Sequence, residues 1–98
     1  MKLIIDRDQL KETPVVFLRR AGYGMIYDRH RGQESFVRRL GGLFYPRFHV
    51  YIAEEGERVI LNLHLDQKQS SYAGSHMHSG EYDGELVEQE LTRIKSLL

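Results

Sequence analysis

The chain has 98 residues, 41% of them hydrophobic, which suits one modest core and predicts a single domain spanning 1–98. Fourteen Lys+Arg balance fourteen Asp+Glu, so neither a strongly basic nucleic-acid protein nor an acidic tail is expected. There is no cysteine, which excludes disulfide scaffolds, thiolate chemistry and cysteine-ligated metals, and no apolar run long enough to cross a bilayer. A cytoplasmic protein with no membrane partner is the expectation.

Lys2-Leu3-Ile4-Ile5 reads as a short edge strand. Thr13-Pro14 then signals a helix start: Thr caps free amides, and Pro fits the first helical position. Arg19-Arg20-Ala21-Gly22 supplies cations in the last turn and a glycine to stop it, so the helix spans about two turns. Residues 24–28 and 34–40 flank a turn at Arg29–Gln33 and read as a hairpin. A helix over 33–40, stopped by Gly41, competes for the second arm, since Phe36, Val37 and Leu40 fit one face.

The clearest pattern lies between 47 and 66. Phe48, Val50 and Ile52 alternate with Arg47, His49 and Tyr51, and Val59, Leu61, Leu63 and Leu65 alternate with Ile60, Asn62, His64 and Asp66. Strict period-two alternation on both sides of a Gly-bearing turn predicts a half-buried antiparallel hairpin. Matching apolar sets across a four-residue loop sets Ile52 against Val59 and Val50 against Leu61. His49 then faces Asn62, and Arg47 faces His64. Residues 67–82 form a polar loop, and a C-terminal helix follows, capped by Asp83. Its stripe of Val87, Leu91, Ile94 and Leu98 needs an apolar partner, and the hairpin face provides one. The expected fold class is α+β: an antiparallel β-meander with a short N-terminal and a longer C-terminal helix on one face.

The opposite face of the hairpin concentrates the chemistry. Arg47, His49, Asn62, His64 and Asp66 form a candidate site for a small anionic ligand, with the 67–83 loop as a lid. In this reading the chain is a non-enzymatic binding module. The plainer alternative is an Arg47–Asp66 or His64–Asp66 hydrogen bond that only stiffens the sheet. A second candidate is a zinc-type metal site, or a metal-dependent hydrolase, drawing on His64, Asp66, His76, His78 and Glu81. Imidazole with carboxylate suits zinc, iron or nickel.

The charge is also unevenly laid out. Residues 1–50 carry 10 basic and 5 acidic side chains, and residues 51–98 carry 4 and 9. Arg19, Arg20, Arg29, Arg31, Arg38 and Arg39, interleaved with Tyr23, Tyr27 and Phe36, make a third candidate, an RNA or other nucleic-acid surface. Catalysis has no motif behind it: no nucleophile elbow, phosphate-binding loop or dinucleotide fingerprint occurs.

Tyr45-Pro46-Arg47-Phe48-His49-Val50-Tyr51, His64-Leu65-Asp66-Gln67-Lys68 and His78-Ser79-Gly80-Glu81-Tyr82-Asp83-Gly84 resemble stretches of a set of short bacterial proteins without an assigned function. The similarity runs over most of 13–97. It implies a bacterial protein in which Arg47, His49, His64, Asp66, His78, Glu81 and Asp83 are worth testing together, and it implies no activity.

Overall fold

A computed structural model describes residues 1–67, 80–81 and 84–98. Five strands, β1 (Lys2–Asp6), β2 (Gly24–Asp28), β3 (Gln33–Arg39), β4 (Arg47–Glu55) and β5 (Arg58–Asp66), form an open antiparallel sheet. A two-residue strand, β6 (Gly80–Glu81), joins it, so residues 67–82 are not loop throughout. The spatial order is β1-β5-β4-β3-β2, with β6 also on β5. Strands β2 to β5 therefore run as a meander, while β1 crosses to the far side and pairs with β5.

Helix α1 (Pro14–Arg20) has the predicted signals in place. Thr13 Oγ1 accepts from the Val16 amide, and Gly22 follows the helix with a φ of 98°. Helix α2 (Glu85–Lys95) follows Gly84. The predicted Asp83 cap lies outside the described residues. Leu98 is exposed because α2 ends before it, and Glu90 joins Val87 and Ile94 on the buried stripe. Phe17 and Leu18 of α1 and Val87 and Ile94 of α2 share one core with Leu3, Ile5, Phe36, Val50, Leu61 and Leu63. Both helices thus cover one face of the sheet, as the α+β reading requires. Among the described residues no helix is long and apolar enough to cross a membrane.

Residues 33–39 are strand, not helix. Ser35 and Phe36 are both buried, on opposite faces, which a period-two backbone allows. The central hairpin keeps the predicted faces but not the predicted register. Val50 lies opposite Leu63 rather than Leu61, Ile52 opposite Leu61 rather than Val59, and the connection is the two residues Gly56-Glu57. Gly56 has a φ of 58°, as type II′ turns need at their first central position, and that turn's twist matches the strands. The shift is two residues, so every side chain stays on its expected face. It also changes who meets whom: His49 faces His64 instead of Asn62, and Arg47 faces Asp66 instead of His64.

Candidate functional site

On the face away from the helices, β3, β4 and β5 bring five polar residues into one hydrogen-bonded group. Asp66 is its hub. Its Oδ2 lies 2.9 Å from His49 Nδ1 and 3.0 Å from Arg47 Nε, and its Oδ1 lies 2.9 Å from His64 Nε2. Burial raises the Asp66 pKa, but the bonds from His49, His64 and Arg47 outweigh it and hold the carboxyl well below the usual range. An ionised carboxylate only accepts, so His49 donates through Nδ1 and His64 through Nε2. In neutral His49 the other nitrogen, Nε2, then accepts from Ser35 Oγ at 2.7 Å.

The rings are packed as closely as the hydrogen bonds. His49 stacks on Tyr51 at 4.6 Å between centroids and meets His64 at 4.9 Å. Tyr51 donates to Asp28 Oδ2 at 2.5 Å, and Asp28 Oδ1 accepts the amides of His30 and Arg31, so the β2–β3 turn is tied to this face. Burial, with the neighbouring Asp28 carboxylate, pushes the Tyr51 hydroxyl pKa up, keeping it a donor.

Ser35, His49 and Asp66 repeat the connectivity of a hydrolase triad, yet Ser35 is 0% exposed and cannot reach a substrate. The group suits another chemistry better. His49, His64 and Asp66 each offer a ligand atom, and these atoms lie within 4.8 Å of one another. Tetrahedral zinc with bonds of roughly 2.0–2.1 Å sets its ligands about 3.3 Å apart; the two 2.9 Å contacts end on different Asp66 oxygens, so seating an ion requires the side chains to rearrange around it.

Of the anion-site set, the structure brings together Arg47, His49, His64 and Asp66. Asn62, two residues before His64 on β5, faces Tyr51 instead. Both hydrogen bonds of the plainer alternative, Arg47–Asp66 and His64–Asp66, are present. Of the metal set, His64 and Asp66 are joined by His49. His76 and His78 lie outside the described residues, and Glu81 is described only as a backbone partner of Leu65. The six arginines of the nucleic-acid set are not brought together. Arg19 and Arg20 end α1, Arg38 reaches Glu90 of α2, and Arg39 lies opposite Arg47. Tyr23 and Phe36 are core residues and cannot stack bases.

Sequence reasoning missed Ser35 and Asp28 as site residues. Ser35 could have been found from Phe36: once Phe36 points to the core, a strand must turn Ser35 to the polar face. Comparisons with protein-family models, curated proteins and solved structures returned no match.

Proposed function

We propose that this protein binds a divalent transition metal, zinc in the first instance, through His49 Nδ1, His64 Nε2 and an Asp66 oxygen. The observation that carries this is the convergence of two imidazoles on one carboxylate from directly opposed strand positions. Two imidazoles and a carboxylate form a ligand set used by zinc and non-haem iron. The surrounding contacts also fit. Ligating histidines depend on a partner at their second nitrogen, and Ser35 supplies one to His49. When Nδ1 takes a metal its proton belongs on Nε2, and the Ser35 hydroxyl can change from donor to acceptor without moving. Arg47 keeps Asp66 ionised and oriented, at the cost of a positive charge near the metal.

The small-anion reading draws less support from the same contacts. Arg47, His49 and His64 already direct donors at Asp66, so an incoming anion must displace an internal carboxylate.

The test is a zinc and cobalt(II) titration of chelator-treated protein purified without a histidine tag. One ion per chain is expected, with cobalt giving a visible d–d spectrum. Asp66→Asn and His64→Ala should abolish tight binding, and Ser35→Ala should weaken it about 10- to 100-fold. Absence of binding by either metal, or binding unchanged in both first variants while their folds persist, refutes the proposal.

A further inference from the structure

The polar face carries a second feature that the metal ligands do not use. Arg39 and Arg47 are direct cross-strand partners, an arrangement in which like charges repel. Each guanidinium lies against an aromatic ring of the β3–β4 connection: Arg39 over Phe44 at 4.2 Å and Arg47 over Tyr45 at 4.6 Å. Four positions along β4 from Arg47, or about 13 Å at strand rise, Arg31 lies over Tyr51 at 4.3 Å. Three guanidinium–ring contacts thus present cations and aromatic faces together on this side of the sheet.

Arg31 and Arg39 form no ion pair among the described residues, so both are open to an anion, whereas Arg47 is largely buried, held by Asp66 through Nε, and only backs the Tyr45 ring. Phe44 is 63% exposed. Two carboxylates share this face, Asp66 bonded to Arg47 and Asp28 bonded to Tyr51. Glu54 and Glu55 lie at the far end of β4, and Glu85 and Glu88 on α2 across the sheet.

We propose that this surface binds single-stranded nucleic acid, with Arg31 and Arg39 on phosphates and bases stacked on Phe44 and Tyr45. Aromatic rings beside cations stack bases in this way. A duplex is excluded as the preferred ligand because its base faces are already stacked on each other. The proposal does not rest on the metal site, and its test runs in EDTA so that the two stand or fall separately.

The experiment is fluorescence anisotropy with a short labelled oligouridylate and a duplex of the same length. The single strand should bind more tightly than the duplex. Log affinity should fall against log salt with a slope of about −1.4, from roughly 0.7 per phosphate and two arginines. Arg39→Gln should reduce that slope by about 0.7. Phe44→Leu keeps the side chain apolar but removes the ring, and should weaken binding about five-fold or more with the slope unchanged. No binding at low salt, equal affinity for duplex, or indifference to Phe44→Leu each overturns the proposal. Binding to anionic lipid vesicles without binding to the oligonucleotide does so as well.

Discussion

Glu90 is the most deeply buried carboxylate described, 4% exposed, and its neighbours make its role measurable. Tyr23 donates to its Oε2 at 2.6 Å, Arg93 bonds both oxygens at 2.8 and 2.9 Å, and Arg38 stands 3.5 Å away. Tyr23→Phe removes one hydroxyl and leaves the ring, so it opens no cavity. A hydrogen bond to a charged acceptor contributes about 1.5–3 kcal/mol, and because Arg93 remains, the expected loss lies near 1.5–2 kcal/mol. At about 4–8 °C per kcal/mol for a chain of this size, Tm should fall by about 6–16 °C. The pH dependence gives an independent check. Burial raises the Glu90 pKa, but Arg93 and Tyr23 outweigh burial and hold it below the ordinary 4.5. A depressed folded-state pKa contributes stability that is present above the unfolded value and lost as pH falls through the folded one. The gap between wild type and Tyr23→Phe should therefore be full at pH 7 and shrink below about pH 4.5. Urea denaturation across that range measures it, with the exposed Tyr27→Phe as control. A Tyr23→Phe protein within about 0.5 kcal/mol of wild type at pH 7 would refute the reasoning, since surface changes alone produce that much.

Two further substitutions probe the frame that positions the candidate site. Ile94→Ala, at a fully buried position of α2, should cost about 2–5 kcal/mol in urea denaturation, while Leu86→Ala on the exposed side should stay within about 0.5; equal effects would mean that α2 does not dock as described. Gly56→Ala should cost about 1–2 kcal/mol purely through its left-handed backbone, because an added Cβ meets nothing within 4 Å. Gly42→Ala, also in open space but without a positive φ, should be close to neutral, and a neutral Gly56→Ala would contradict the two-residue turn.

The faces of the hairpin were legible from the residues alone because parity is all that alternation encodes. Register was not. Val50 against Leu61 and Val50 against Leu63 are equally apolar, so side-chain matching could not separate two connections of the same parity. Glycine at position 56 was the deciding signal, through the preference of short hairpins for primed turns. That difference moved the candidate site from a loose diagonal pair of histidines to a directly opposed one. α1 was readable because its signals are local: a threonine cap, a proline and a terminal glycine. Glu90 and Tyr23, 67 residues apart in sequence, left no such mark. A glutamate on the α2 stripe looks like a surface residue until its partners are known.

β1 pairs Lys2 with Asn62 and Asp6 with Arg58, so it precedes β2, β3 and β4 in the chain yet completes its ladder only with β5. At about 5–20 residues per second, the leucine and isoleucines of β1 wait roughly 3–12 s for that partner to be synthesised. Over the same interval β2, β3 and β4 become available in turn, each beside its eventual neighbour. The order of assembly is therefore set by geometry: the meander zips locally, and β1 closes last across a long loop. The polar site is built within the meander, from β3, β4 and β5, so its residues come together before the sheet gains its outer strand.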